Sequence, residues 1–209
     1  MRRPPALTRT GPQPLVPVPD VIAPGLRVLF VGINPSLASA VAGHHFARRT
    51  NPFWRLLHAA GLTPMLLRPE EDGCLVELGL GITNVCPRPT RSAAELSRSE
   101  LEQGARELAA KVAALAPEWV VLVGLSLYPV VVPGGREPGP GAKRARLAGA
   151  RVYVLPNPSG LNASYPGFAH KLVWFRRLVR AAGATEAIAA APRAACAPRP
   201  RRRRPSPRA

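Results

Sequence analysis

Two loops built around asparagine hold the residues of this chain best suited to chemistry. Gly32-Ile33-Asn34-Pro35-Ser36 follows one apolar run and Asn157-Pro158-Ser159-Gly160-Leu161-Asn162 follows another. In the first, Gly32 lets backbone approach a ligand closely and Pro35 stiffens the turn. The amide of Asn34 both donates and accepts and does not titrate, so it can orient a water molecule. An Asn that merely caps a turn is the alternative. The second loop is ordinary turn chemistry except at Leu161, an apolar residue among small polar ones. Either a wedge pushed into a base stack or local packing accounts for it.

Gly43-His44-His45-Phe46-Ala47-Arg48-Arg49 lies between the two loops. Phe46 is either a stacking platform for a base, worth ~1–3 kcal/mol per base, or core. His44 and His45 are adjacent and point apart on most backbones, which disfavours a metal pair and leaves a general-base role open. Arg48 and Arg49 read as phosphate contacts or as solvated charge. Arg88 and Arg91, on either side of Pro89-Thr90, read the same way.

The elements that must position these loops follow from the apolar pattern. Leu26–Val31, Trp119–Val123 and Arg151–Leu155 are short apolar runs of the kind buried on both faces of a parallel sheet. Gly81–Cys86 reads as a further strand. Asn51 as N-cap, Pro52 at the first position and Gly61 past the end mark one helix. A short helix is expected over Glu70–Leu78, and an amphipathic one over Phe168–Ala182. The longest is expected from Ser92, with Glu95 completing a capping box, to about Leu115. Gly134–Gly141 reads as loop. Strands alternating with helices predict an α/β fold, a three-layer α/β/α sandwich with a mainly parallel central sheet. Ligands of such sheets sit beyond the carboxyl ends of the strands, where both asparagine loops fall.

Charge narrows the partner. Of the formal net charge of +17, residues 1–19 supply three arginines without an acid and residues 190–209 supply seven, which leaves +7 on the body between. A basic body with basic ends suits a polyanion, nucleic acid first; Arg- and Ala-rich composition bias is the alternative. Residues 1–20 are expected to be a flexible Pro/Arg-rich arm, residues 21–184 the folded domain, and residues 185–209 a disordered Arg/Pro-rich tail. Cys74, Cys86 and Cys196 are far apart without a C-x-x-C pair, which argues against a disulfide framework, a zinc site or a four-cysteine cluster. With no signal peptide and no apolar run of the roughly 20 residues that span a bilayer, the expectation is an intracellular protein, cytoplasmic and associated with the nucleoid, without a membrane partner.

Taken together, the loops are more specific than any one of them. Ala23 to Val28, Gly32-Ile33-Asn34-Pro35, Phe46-Ala47, Asn51-Pro52-Phe53-Trp54, Gly81-Ile82-Thr83-Asn84, Arg88-Pro89-Thr90 and Leu155 to Leu161 occur in that order. Over about residues 21–180 the chain resembles the mismatch-specific uracil-DNA glycosylase and thymine-DNA glycosylase family. That resemblance implies a uracil-DNA glycosylase-like fold and a monofunctional glycosylase acting, as a monomer without metal or organic cofactor, on double-stranded DNA with a mismatched or damaged pyrimidine.

By resemblance, Asn34 is the catalytic residue that positions the hydrolytic water and Phe46 stacks on the flipped base. Gly32, Ile33, Pro35, Ser36, Ser39 and Asn157 line the base pocket. Ser159, Gly160, Leu161 and Asn162, with Arg48, Arg88 and Arg91, contact the DNA, and Leu161 is the wedge. Two departures from the family pattern stand out. Ser36 replaces a glycine, which bears on pocket shape, and Asn162-Ala163 stand where an Arg often follows the wedge. A general uracil-DNA glycosylase that also acts on single strands, and a non-catalytic DNA-binding module, are the alternative functions.

Overall fold

The computed structural model describes residues 15–159 and 164–183. The element order is β1 (Val28–Gly32), α1 (Leu37–Ala42), α2 (Phe53–Ala60), a 3₁₀ segment (Pro69–Leu78), β2 (Leu80–Asn84), a 3₁₀ turn (Ala93–Glu95), α3 (Arg98–Leu115) and β3 (Trp119–Val123). A second 3₁₀ turn (Leu125–Leu127), α4 (Tyr128–Val131), β4 (Gly141–Leu147), β5 (Ala150–Leu155) and α5 (Gly167–Ala181) follow. The five strands form one sheet in the order β2-β1-β3-β5-β4, parallel except for the β4–β5 pair.

Continuous apolar runs make β1, β3 and β5 because both faces of the sheet are covered there. Val28, Phe30, Trp119, Val121, Val123, Tyr153 and Leu155 pack against α2, α5 and the long 3₁₀ segment. Leu29, Val31, Val120, Leu122, Val152 and Val154, the alternate positions, pack against α3 and α4. This is the expected three-layer α/β arrangement. Gly104 lets α3 lie close: a Cβ there would collide with the Val85 carbonyl as the chain leaves β2.

Several boundaries differ from the sequence expectation. The long helix starts at Arg98, not near Ser92, because a second capping box (Ser97 and Glu100) initiates it. The Ser92–Glu95 box closes only a 3₁₀ turn, after which extended Leu96 breaks the helix. The short helix expected over Glu70–Leu78 is present from Pro69 to Leu78 as a 3₁₀ helix. Helix α2 begins at Phe53 with Pro52 at the cap position, while the Asn51 side chain still accepts the Phe53 N–H at 3.0 Å. Strand β2 ends at Asn84, not Cys86.

Apart from 3₁₀ turns, three elements were not expected at all, the four-residue α4 among them. Helix α1 is only six residues long. Strand β4 contains Lys143, Arg144 and Arg146 and buries Leu147 alone, as a charged sheet edge does. A tight turn with positive φ at Ala148 and Gly149 returns the chain to β5. At the other end, the packed chain begins before residue 21: Val18 is buried, the Pro19 carbonyl accepts from His45, and Asp20 pairs with Lys111 at 2.5 Å. The remainder of the arm (1–14), the tail from residue 184, and Gly160, Leu161 and Asn162 lie outside the described residues.

Candidate active site

The carboxyl ends of β1, β2, β3 and β5 lie along one edge of the sheet, so the loops that leave them meet there. Strand β1 sits between β2 and β3, and the crevice at such a reversal of strand order is where open α/β sheets take ligands. A recess of about 130 Å³ opens there, lined by Gly32, Ile33, Asn34, Pro35, Ser36 and Ser39, with Phe46, Asn84 and Asn157 among its other walls. It shares Ile33, Asn34, Ser36, Asn51 and Asn157 with a groove of about 570 Å³ that extends past Arg48, Arg91, Ser126, Ser159 and Tyr165.

The loop after β1 is held by its neighbour. The Val85 and Cys86 N–H groups donate to the carbonyls of Gly32 and Ile33, and the Thr90 N–H donates to that of Pro35. The Asn34 amide then spends both hydrogens on the protein. Nδ2 donates to the Arg88 carbonyl at 2.9 Å and to Thr90 Oγ1 at 2.7 Å. Thr90, itself buried, donates its own hydrogen to the Ser92 carbonyl at 2.8 Å. Oδ1 of Asn34 accepts from no described residue.

Ser36 has become the N-cap of α1. Its Oγ accepts the Ser39 N–H and donates to Ser39 Oγ. That same Ser39 oxygen receives the Ala47 N–H. These bonds, with Trp54 Nε1 donating to the His45 carbonyl, fix the path of residues 43–47.

Phe46 lies in the left-handed region, φ 52°, a conformation that costs a non-glycine residue ~1–3 kcal/mol and signals a constraint. One face of its ring stacks on Phe53, with centroids 3.9 Å apart and planes inclined by 20°. The half-buried ring also lines the recess.

His45 is buried and turned away from His44, which pairs with Asp72 at 3.2 Å. Its Nε2–H donates to the Pro19 carbonyl at 2.9 Å, which leaves Nδ1 to accept from Asn84 Nδ2 at 3.4 Å. Burial pushes its pKa down, against the opposing pull of that carbonyl and of Asp72 and Asp20. The neutral ring so favoured is the form that can hold Asn84. The Asn84 Oδ1 lies over Gly32, where any Cβ would collide with it.

Of the cationic residues singled out in the sequence, Arg48 and Arg91 line the groove with no ion pair to a described residue. The Arg88 guanidinium instead grips Glu100 at 2.6 and 3.1 Å and the Glu95 carbonyl at 2.9 Å. That contact holds the Glu100 carboxyl down at about 2. Sequence reasoning gave no role to Asn84, Thr90, Ser126 or Tyr165. The signal for Asn84 was available in its place at the end of a strand; that for Thr90 was not, because its partner is 56 positions away.

The site therefore offers an aromatic face, two fixed carboxamides with free oxygens and a groove edged by arginine. The model of the Uracil DNA glycosylase superfamily matches residues 19–182.

Proposed function

The chain belongs to the uracil DNA glycosylase superfamily, and from that membership we propose a monofunctional glycosylase that hydrolyses the N-glycosidic bond of uracil, or of thymine or a damaged pyrimidine, in mismatched duplex DNA. A base inside a duplex is out of reach, so the target nucleotide must first be extruded. Extrusion costs a few kcal/mol and least at a mismatch, which favours G·U over A·U. The recess receives the base and Phe46, backed by Phe53, covers its face. Asn84 Oδ1 accepts from the N3–H of uracil or thymine. Cytosine carries a lone pair at that nitrogen and meets repulsion instead.

Asn34 supports the hydrolytic role. With both amide hydrogens committed to Arg88 and Thr90, its Oδ1 is left to accept from a water and aim it at the sugar carbon as the C1′–N1 bond lengthens. An amide is no base, so rate acceleration comes from positioning and from stabilising the departing base anion. The products are free base and an abasic site. The orientation of the Asn34 amide is the observation that carries this reading.

The test is base release from a labelled duplex with a single G·U mismatch, by the parent and by Asn34→Ala. Alkali-revealed cleavage by the parent and its loss in the variant are expected. A folded parent that binds DNA and releases no base from G·U, A·U or single-stranded uracil would sink the enzymatic reading and leave a binding module. Equal rates on single strands would replace mismatch specificity with general uracil excision. Among the described residues no helix is long and apolar enough to cross a membrane; a monomer acting at the nucleoid completes the proposal.

A further inference from the structure

Lys171 is the one lysine of α5 and the only helix residue there that buries a charge. Arg176, Arg177 and Arg180 point to solvent, whereas Lys171 is 2% exposed. Its Nζ donates to the Ser159 carbonyl at 3.1 Å, and no carboxylate among the described residues pairs with it. The position is electrostatically unfavourable. An ammonium taken from water without a counter-charge is among the costliest burials. Burial pushes its pKa below the ordinary lysine value. Nothing in the hydrolytic chemistry set out above uses it.

The place of its one partner among the described residues suggests what compensates the charge. Ser159 belongs to the loop after β5 and lines the groove beside Asn157, Arg48 and Arg91. A nucleic-acid backbone in that groove would bring anionic phosphate near Ser159, the residue whose carbonyl holds the ammonium.

We propose that Lys171 is a positioning residue: through the Ser159 carbonyl it ties the loop after β5 to α5, and the phosphate that this loop meets in the complex supplies its missing counter-charge. The inference rests on the reading of the groove as the DNA site. The buried cation is then tolerated in the free protein because it sets where Ser159 engages the substrate.

The experiment compares the full chain with Lys171→Met and Lys171→Arg. Three quantities are measured: thermal unfolding, single-turnover base release from a G·U duplex, and the fluorescence of a 2-aminopurine placed beside the target, which rises when the stack opens. An apolar side chain of similar volume removes the uncompensated charge, so the Met variant is expected to melt at or above the parent temperature. Its single-turnover rate should fall at least tenfold with a smaller fluorescence rise, and Lys171→Arg should recover part of both. A merely structural lysine would lower the melting point and leave the fluorescence amplitude alone.

Should the Met variant be unfolded at assay temperature, Lys171→Gln takes its place. It keeps a donor for the Ser159 carbonyl without the charge, and a weakened fluorescence rise is again expected. Parent-like rate and fluorescence in a folded Met or Gln variant overturn the proposal. A parent that neither releases base nor opens the stack overturns instead the functional reading on which it rests.

Discussion

Asn34 Nδ2 lies 2.7 Å from Thr90 Oγ1, and Thr90 gives its only hydroxyl hydrogen to the Ser92 carbonyl. The Thr90 oxygen is thereby confined to accepting, and the Arg88 carbonyl can do nothing else, so the Asn34 amide has one orientation. Thr90→Val keeps shape and volume but strands an amide hydrogen. Losing a partner from a part-buried polar group costs ~1–3 kcal/mol. If the amide aims the water, single-turnover base release should fall roughly fivefold to 150-fold, at ~1.4 kcal/mol per tenfold, with DNA affinity little changed. A parent-like rate in the folded variant would show that the Thr90 bond does not set the Asn34 geometry.

Gly32→Ala tests the opposite wall. Its Cβ would collide with Asn84 Oδ1, so the Asn84 side chain must turn away and give up its bond to His45. Base release should drop about as far as in Asn84→Ala. The double variant should be no worse than Asn84→Ala alone, since residues in contact do not contribute additively. Additive losses would mean that Gly32 matters for a reason other than room for Asn84.

How far these relationships could be read from the chain depended on burial. Strands β1, β3 and β5 were legible because a sheet covered on both faces imposes unbroken apolar runs. The edge strand β4 fully buries one side chain and carries two exposed arginines and a half-buried lysine, so no pattern marks it. Helix α1 makes under two turns, too few for a periodicity to show, and only Ser36 in its capping role gives it away. Two S-x-x-E boxes stand five residues apart before α3, and nothing local distinguishes the one that starts the long helix from the one that closes a 3₁₀ turn. At the site, Asn34, Ser36, Phe46 and Asn157 stand out in sequence and line one recess. The strand-end place of Asn84 is legible, but its partner and that of Thr90 lie some 40 to 60 positions away, a distance that no local spacing encodes.

The buried imidazole of His45 gives stability a pH dependence of definite sign. Its folded pKa lies below the ordinary 6.5, so as pH falls past that value the unfolded chain takes up a proton that the folded one refuses. The stability contributed by the neutral ring is complete above pH 6.5 and is lost on descent to the folded pKa. Protonation would also turn Nδ1 into a donor and release Asn84. Melting temperature and base release should therefore both decline on the acid side, and His45→Gln should flatten the acid limb of each. An acid limb unchanged in that variant would place the titrating group elsewhere.

The three arginines named from sequence should separate in a salt titration. Arg48 and Arg91 edge the groove without an ion pair to a described residue, so each is free to neutralise a phosphate. Replacing either by Ala should weaken DNA binding similarly on all sequences and reduce the slope of log K against log salt by ~0.9. Arg88 is committed to Glu100 and to the Glu95 carbonyl, while its backbone carbonyl holds Asn34. Arg88→Ala should leave the salt slope near the parent value and slow base release instead, by loosening the segment that fixes Asn34. A slope reduced by Arg88→Ala as much as by the other two would show that its guanidinium leaves Glu100 to meet the DNA.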